Sequence, residues 1–286
     1  MKREELIKQS NIDWKLYHHA VISNLLPHQV PNPDLLRYIK HWYFARWTSN
    51  FDNTEKTNWW YLIKDGKYNK DVLPRKTRRE LRKANENLYS KPISFEEYED
   101  ELFSVYLSAV LEYKNSDNSK DREKVLNEYK KLSNENYLFI GTFLKASNEM
   151  VAFAILKEDV DKNKKVATWS ITKHNPEYLE SGSSLSLCDF VLAHFLNERG
   201  CDYIVNSERT IRHKTNRQQY LIEKFNYRKV YCNLHLQIKW WLKVILVLLR
   251  PFKGLMKKNN KNAFINNVVS LYYLIDIYRG KENEQK

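Results

Sequence analysis

Three short runs of β-branched and aromatic residues follow one another between residues 137 and 172, and they constrain the fold more than any other feature. They are Tyr137 to Leu144, Met150 to Leu156 and Val166 to Thr172. Five residues join the first two runs and a nine-residue polar segment joins the second and third, and these lengths suit hairpin connections. The sequence therefore predicts an antiparallel meander of three strands.

Helical and strand patterns alternate after the meander. In chain order they are a helix from Glu180 to about Arg199, a strand from Cys201 to Val205, a helix from Thr215 to Phe225 and a strand from Val230 to Ile238. Gly200 and Asn226 follow the two helices, and both residue types tolerate the left-handed backbone that ends a helix. The predicted order is thus three strands, helix, strand, helix, strand.

The part of the chain before the meander is rich in aromatic residues and then in arginine and lysine. Trp59 to Ile63 is predicted as a strand that ends in the turn Asp65-Gly66. Pro74 to Leu88 is predicted as a helix, because proline suits a first turn and apolar residues recur at helical spacing. Two further helices are expected, one from Phe95 to Tyr113 and one in the charged segment that ends at Lys131.

Charge and cysteine content limit the classes of partner and compartment. The net charge is +13, from 48 Lys and Arg against 35 Asp and Glu. This excess favours an anionic partner such as nucleic acid, acidic lipid or a phosphorylated substrate, and a generally basic proteome is the alternative. Cys188, Cys201 and Cys232 are far apart in the sequence, which disfavours a zinc site or a disulfide framework. This spacing leads us to expect no metal, and because no apolar leader follows Met1 we expect a cytoplasmic protein.

The order of strands and helices resembles the GNAT (GCN5-related N-acetyltransferase) fold. In that family the helix after the fourth strand holds the pyrophosphate of coenzyme A at its start, and the matching segment here is Ser181-Gly182-Ser183-Ser184. Unpaired N–H groups and the positive end of the helix dipole favour an anion there. The resemblance further implies backbone N–H groups near Ser170 and Ile171 that polarise the acyl carbonyl, and acetyl-CoA or another acyl-CoA as co-substrate.

The segment from Asn216 to Tyr227 is similar to the Asn…Tyr-Glu-Lys…Gly-Phe helix of the same family. Glu223 and Lys224 match that pattern, and the resemblance implies that Asn216 contacts the cofactor. The tyrosine that often serves as general acid in the family falls at Ile222 in this chain.

The segment from Arg75 to Ala84 is similar to the K-x-R-R-x-[IL]-R-K-A pattern of the Fem-type branch of that superfamily. Members of this branch build peptidoglycan cross-bridges from aminoacyl-tRNA, and relatives serve envelope polysaccharide pathways. Arg75, Arg79 and Arg82 are about one helical turn apart and share a face. They are predicted to bind an anionic substrate, such as a nucleotide sugar, a lipid-linked diphosphate or tRNA, and a merely solvated basic face is the alternative.

Candidate catalytic groups follow the predicted strand that ends at Val205. Acyl transfer to an amine needs an unprotonated amine and therefore a base. Glu208 is the first choice for this base and His213 the second, with Asn206 as a further catalytic candidate and Arg209 as a substrate-binding one. A solvated loop carboxylate and a phosphate-binding histidine are the alternatives.

The run from Trp240 to Leu249 is the most apolar of the chain. Ten residues of helix cover about 15 Å, half of a bilayer core, so this run cannot span a membrane. Five basic residues follow it: Arg250, Lys253, Lys257, Lys258 and Lys261. Segment 240–261 is expected either to contact an anionic membrane surface or to form, with an apolar helix from Ala263 to Tyr278, a hairpin packed on the body.

Together these features predict an α/β protein with a GNAT-like mixed, mainly antiparallel sheet flanked by helices, and with helical N- and C-terminal extensions. The expected parts are an N-terminal extension with the basic helix (1–94), an acyltransferase core (95–239) and an apolar and basic helical hairpin (240–286). The leading hypothesis is an N-acyltransferase that moves an acyl group from a coenzyme A thioester to a small-molecule or lipid-linked amine, for example an amino sugar of a cell-surface glycan pathway. The alternatives are aminoacyl transfer from aminoacyl-tRNA and a non-catalytic, membrane-peripheral binding protein.

Overall fold

The structure is a computed structural model, and it describes residues 3–17, 19–112, 120–211, 216–258 and 263–280. The helices in these ranges are α1 (Arg3–Asp13), α2 (Arg75–Asn87), α3 (Glu99–Glu112), α4 (Arg122–Asn134), α5 (Ser183–Leu192), α6 (Asn216–Phe225), α7 (Trp240–Leu249), α8 (Lys253–Lys258) and α9 (Ala263–Tyr278). The strands are β1 (Trp14–Tyr17), β2 (Ala20–Ser23), β3 (Phe44–Asn53), β4 (Trp59–Asp65), β5 (Leu88–Ile93), β6 (Tyr137–Leu144), β7 (Met150–Asp161), β8 (Lys164–His174), β9 (Tyr203–Glu208) and β10 (Arg228–Ile238).

The chain divides into two compact units, each assembled from separate stretches of sequence. Unit 1 contains Met1–Tyr61, Glu208–Thr215 and Lys229–Lys286, and unit 2 contains Leu62–Ser207 and Asn216–Arg228. The three-part division into 1–94, 95–239 and 240–286 stays a prediction from the sequence.

Unit 2 contains the predicted meander. Its strands lie in the order β9-β8-β7-β6-β5, antiparallel from β5 to β8 and parallel between β8 and β9. β7 and β8 are longer than predicted, because Lys162 and Asn163 both have positive φ (48° and 67°) and make the tight two-residue turn that joins them. The polar residues on either side of this turn therefore pair as strand.

Helices cover the sheet of unit 2 and supply its core. α3 and α4 contribute Leu102 and Tyr129 to a buried cluster that includes Phe139 of β6 and Phe153 of β7. α5 contacts β5, β6 and β7, and its residues Leu187 to Leu192 include fully buried apolar side chains. Helical structure continues past α5 as a π-helical stretch to Glu198, and Gly200 ends it with φ +69°, as predicted.

Unit 1 contributes further strands and has its own core. β1 and β2 are antiparallel, β2 and β3 are parallel, and β3 and β10 are antiparallel. Buried residues of α7 and α9, such as Leu246 and Leu274, pack in one cluster with Trp59 and Cys232. The two apolar C-terminal helices thus pack on strands of unit 1. Within the described ranges, no helix is both long enough and apolar enough to cross a bilayer.

The predicted fold class is confirmed: the chain has a mixed, mainly antiparallel sheet flanked by helices, with helices near both ends. The N-terminal extension is less helical than predicted, because β1, β2 and β3 follow α1. All three cysteines are free and buried.

Candidate functional site

The parallel strands β8 and β9 of unit 2 separate part of the way along their length. They pair from Val166 to Thr168 on β8 and from Tyr203 to Val205 on β9. Beyond these residues β8 continues to His174 and β9 to Ser207 in unit 2, and in the described structure the two strands make no further pairs. Separated strands leave backbone N–H and C=O groups without a ladder partner, so this opening has the means to bind a polar ligand.

A β-bulge in β8 lies next to this opening. Ile171 pairs with Ile155 and Trp169 with Leu156, so Ser170 is the extra residue without a partner on β7. A bulge removes one residue from the ladder and redirects its backbone groups. Ser170 is exposed. The structure therefore places Ser170 and Ile171 at an interruption of the ladder, and their proposed contact with an acyl oxygen stays a prediction.

The first turn of α6 contacts both separated strands. Nη2 of Arg217 donates a hydrogen bond to Oγ1 of Thr172 on β8 at 2.9 Å, and its guanidinium lies 5.2 Å from the ring centroid of Trp169. Nε2 of the neighbouring Gln218 donates to Oγ of Ser207 on β9 at 2.9 Å. α6 thus links the two strands where they no longer pair with each other.

The buried polar atoms of unit 2 that have no hydrogen-bond partner within the described part of the chain include Nδ1 of His174, Oγ of Ser183 and the hydroxyl oxygens of Tyr220 and Tyr227. The charge of Arg217 acts on the histidine and on both tyrosines, so these three groups lie near it. An unpartnered buried polar group costs about 1–3 kcal/mol and is uncommon. A polar ligand at this place would supply the missing partners.

Burial keeps these groups neutral. Burial, and after it the positive charge of Arg217, lowers the pKa of His174 to about 3. Burial also raises the pKa of Tyr220 and Tyr227 above their usual range and the pKa of Cys188 to about 11. Near pH 7 the imidazole is therefore uncharged, and the phenols keep their protons and act as hydrogen-bond donors.

The predicted cofactor segment forms the start of α5. Gly182 precedes the helix with φ +91°, and a Cβ at this position would lie 2.6 Å from Cβ of Ala84 on α2. The close approach of α2 is therefore enough to require glycine at position 182, whether or not a ligand binds there. Gly182 has no side chain to cap the helix, and Ser183 is buried while Ser181 is exposed. An uncapped helix start is suited to an anion, and phosphate binding by Ser181, Gly182, Ser183 and Ser184 stays a prediction.

The basic face of α2 is present as predicted. Arg75, Arg79 and Arg82 are exposed, and the opposite side of the helix buries Leu81 and Ala84. Among the described residues none of these three arginines forms an ion pair, so they are available to an anion; their role in substrate binding stays a prediction.

Glu208 and Arg209 belong to unit 1, where other residues already engage their side chains. Glu208 forms a short ion pair with Arg46, whose guanidinium lies 5.2 Å from the ring centroid of Trp59. Nη1 of Arg209 donates to the carbonyl oxygen of Asn58 at 2.5 Å. Glu208 would lose its ion pair on taking a proton, so a role as base requires Arg46 to move. The catalytic and substrate-binding roles predicted for these two residues remain predictions.

The remaining predicted residues lie at the ends of elements. Asn206 is half-buried near the end of β9, and Asn216 is the exposed first residue of α6. His213 lies outside the described residues. Sequence reasoning missed His174 and Arg217, although their positions at a strand end and in a first helical turn are common places for functional side chains. Among the described residues, no three His, Cys, Asp or Glu side chains form a group that could hold a metal ion.

No model of a known protein family matches this sequence, and no curated protein sequence matches it. Solved structures do resemble it. One is the C-terminal domain (DUF2156) of a protein described as a candidate lysylphosphatidylglycerol synthetase from Agrobacterium fabrum, with a TM-score of 0.52 and 12% identity over 88% of this chain and 97% of that chain. Another is L-PGS from Bacillus licheniformis, with a TM-score of 0.49 and 12% identity over 82% of this chain and 83% of that one.

A third similar structure contains a GCN5-related glucosamine N-acetyltransferase region of a fungal multi-domain β-N-acetylglucosaminidase. Its TM-score is 0.34 and its identity 16%, over 44% of this chain and 14% of the fungal chain. The present chain thus spans about one seventh of the fungal protein. The likeness to the Agrobacterium domain extends over most of both chains, and at 12% identity it shows a shared fold.

Proposed function

We propose that this chain is an acyltransferase that moves an acyl group from a coenzyme A thioester to an amine. The observation that carries this proposal is the separation of β8 and β9 beside the bulge at Ser170. Such an opening offers unpaired backbone N–H groups to a carbonyl oxygen that becomes negative in the transition state. The shared fold with a synthetase domain and the GNAT-like order of elements support acyl transfer in general.

The unpartnered groups around Arg217 fit the acyl donor. A pantetheine arm and its thioester contain amide and carbonyl groups that pair with neutral hydroxyl and imidazole groups. Tyr220, Tyr227 and His174 offer such groups in a buried place. We assign Tyr220, which lies about one helical turn after Arg217 on α6, as the donor of a hydrogen bond to the departing sulfur; its raised pKa keeps the proton on the hydroxyl.

The phosphates of the donor need cationic or N–H partners in the same unit. The uncapped start of α5 supplies N–H groups, and α2, which approaches Gly182 through Ala84, carries the cations Arg82 and Lys83 immediately before that alanine in the sequence. Both basic side chains are exposed. This combination supports coenzyme A as the donor.

The reaction forms one bond and breaks another. The amine nitrogen attacks the thioester carbon, an oxyanion forms, and the C–S bond breaks to release the coenzyme A thiolate. The amine loses one proton and the thiolate takes one up, so charge and atoms balance. Glu208 is the base proposed from the sequence, with His213 as second choice and Asn206 and Arg209 as polar neighbours of the acceptor.

Aminoacyl transfer is the second candidate. The domain from Agrobacterium fabrum that shares this fold belongs to a protein described as a candidate lysylphosphatidylglycerol synthetase, and lysyl transfer is a form of acyl transfer. The similarity of Arg75 to Ala84 to the Fem-type pattern favours aminoacyl-tRNA as the donor in this case. The exposed arginines of α2 would then contact tRNA phosphates.

Calorimetry with acetyl-CoA and with tRNA separates the two candidates. For the coenzyme A donor we expect binding of acetyl-CoA that Arg217→Gln weakens at least about tenfold, since the variant lacks the charge near His174, Tyr220 and Tyr227 and the contacts that hold α6 to β8. Lys130→Gln, an exposed cation on α4, serves as the matched control and should bind as the wild type does. No binding of acetyl-CoA at millimolar concentration overturns the leading proposal, and a steeply salt-dependent affinity for tRNA supports the second candidate.

A further inference from the structure

α7 of unit 1 has apolar side chains on two opposite sides. Leu246 is buried, and Leu242 and Leu249 pack on the same core cluster. On the other side Trp240 is 76% exposed, Val247 is 70% exposed and Leu248 is 68% exposed, and Val244 joins them with 51%. The spacing of these four residues places them along one stripe of the helix.

This stripe, Trp240, Val244, Val247 and Leu248, is unusual for a surface in contact with water. Single exposed apolar residues are ordinary, and Val72 and Val160 of unit 2 are examples. A continuous row on one helix is different, because a helix that is apolar on all sides is normally buried or in contact with lipid. Phe252, in the short helical turn that follows α7, is a further exposed apolar side chain, with 53% exposure. The row therefore points to an apolar partner.

A pocket of about 460 Å³ lies between α7 and α9 of the same unit. Its walls include the apolar side chains of Leu236 and Leu246. Four cationic side chains and one carboxylate also line it: Lys243, Arg250, Lys253, Arg279 and Asp276. Positive charge therefore exceeds negative charge in a partly apolar pocket next to the exposed stripe.

The ion pairs leave most of these cations available. Nζ of Lys253 lies 2.5 Å from a carboxylate oxygen of Asp276. Within the described part of the chain, Lys243, Arg250 and Arg279 form no ion pair. Cations without an ion pair next to exposed apolar side chains are typical of surfaces that bind anionic phospholipids. The lipid phosphates bind the cations, and the apolar side chains insert among the acyl chains.

We propose that the stripe and the pocket form a docking surface for an anionic phospholipid bilayer. The stripe enters the boundary between headgroups and acyl chains, and the cations of the pocket bind lipid phosphates. α7, with ten residues, covers about 15 Å and so lies along the membrane surface instead of crossing it. A lipid partner is favoured over a protein because unpaired cations accompany the stripe and the chain has a net charge of +13. The inference does not depend on the reaction proposed above.

Vesicle flotation with the full chain tests this surface. The vesicles contain phosphatidylcholine alone or with part of it replaced by phosphatidylserine. We expect flotation with the anionic vesicles and at least about tenfold weaker binding by Val247→Ser/Leu248→Ser, because both side chains lose their insertion into the bilayer. The matched control is Val72→Ser/Val160→Ser, which removes two valines of similar exposure from unit 2 and should leave binding unchanged.

The charges are tested in the same assay. Lys243→Gln/Arg250→Gln should weaken binding to anionic vesicles about fivefold per cation, and Lys130→Gln/Lys164→Gln, two exposed lysines of unit 2, should have little effect. Binding by Val247→Ser/Leu248→Ser at wild-type strength overturns the proposal, as does failure of the wild type to float. The proposal is also overturned if the wild type is a dimer in size-exclusion chromatography and Val247→Ser/Leu248→Ser is a monomer, because the stripe then binds a second copy of the chain.

Discussion

Nη2 of Arg217 donates a hydrogen bond to Oγ1 of Thr172 at 2.9 Å, and the same guanidinium lies over the ring of Trp169 at 5.2 Å. This pair of contacts joins the first turn of α6 to the part of β8 that has left its partner strand. A charged group thus holds the edge of the opening with one polar and one aromatic contact, while buried hydroxyl and imidazole groups near it have no hydrogen-bond partner among the described residues.

Loss of the Arg217 contacts should reduce both stability and donor binding. Arg217→Gln removes a charge-assisted hydrogen bond and a cation–π contact, and we expect a loss of about 2 kcal/mol in the free energy of unfolding. Thr172→Val removes only the hydrogen bond and should cost less, and Thr172→Ser, which keeps the hydroxyl, should approach the wild type. Urea unfolding measures the free energy of unfolding of all three variants. Equal stability of the valine and serine variants would contradict a role for this hydrogen bond.

Gly182→Ala should destabilise unit 2 strongly. The new Cβ would lie 2.6 Å from Cβ of Ala84, and φ of +91° is unfavourable for any residue with a side chain. Overpacking costs about 1–3 kcal/mol and left-handed backbone about 1–2 kcal/mol, so we expect a loss of about 3 kcal/mol. Gly200→Ala is the matched control, because φ is +69° there and no atom lies within 4 Å of an added Cβ. The free energy of unfolding of Gly200→Ala should fall only by the cost of the left-handed backbone.

A double variant separates the two causes. Gly182→Ala/Ala84→Gly removes the atom that the new Cβ meets but adds a glycine within α2, which costs about 1 kcal/mol. We therefore expect the double variant to be less destabilised than the sum of the two single variants. Additive losses in urea unfolding would show that the contact with α2 does not restrict this position.

The sequence predicted the strands that have a regular apolar pattern, and it missed the strands that have no regular pattern. β6 begins and ends at the predicted residues, because an aromatic and β-branched run is bounded by polar residues. β3 was missed because Phe44–Asn53 mixes polar and aromatic residues, and Asn50 and Asp52 within it have positive φ. β5 was missed because Leu88–Ile93 follows a helix directly and contains Pro92, which usually opposes a strand.

The sequence predicted only those parts of the site that lie at the start or end of a helix. The glycine before α5 and the left-handed Asn226 after α6, with φ of 55°, follow from the residue types. The approach of Ala84 to Gly182 and the contacts of Arg217 join residues that are distant in sequence. A single sequence carries no signal for such tertiary contacts, so the unpartnered groups around Arg217 were not predicted.

The ion pair of Glu208 with Arg46 should couple the two residues energetically. Glu208→Gln or Arg46→Gln breaks this ion pair between two half-buried side chains, and each should cost about 1–3 kcal/mol. The double variant should cost less than the sum, and additive losses in a double-mutant cycle would contradict the coupling. A role of Glu208 as general base would add a loss of kcat of about 100-fold to Glu208→Gln that Arg46→Gln does not share.

His174 should make the stability of the protein depend on pH below about 6.5. Its pKa is lowered to about 3 in the folded chain and is about 6.5 in the unfolded chain, so the unfolded state alone takes up a proton as the pH falls between these values. Stability is then lost at about 1.4 kcal/mol per pH unit, or about 2 kcal/mol between pH 7 and pH 5. Because His174→Asn lacks this proton uptake, the stability of the wild type relative to the variant should fall by about that amount over this range in urea unfolding. His194→Gln, on the π-helical stretch after α5, controls for the loss of an imidazole. If the difference in the free energy of unfolding between the wild type and His174→Asn stays constant with pH, a neutral, buried His174 is contradicted.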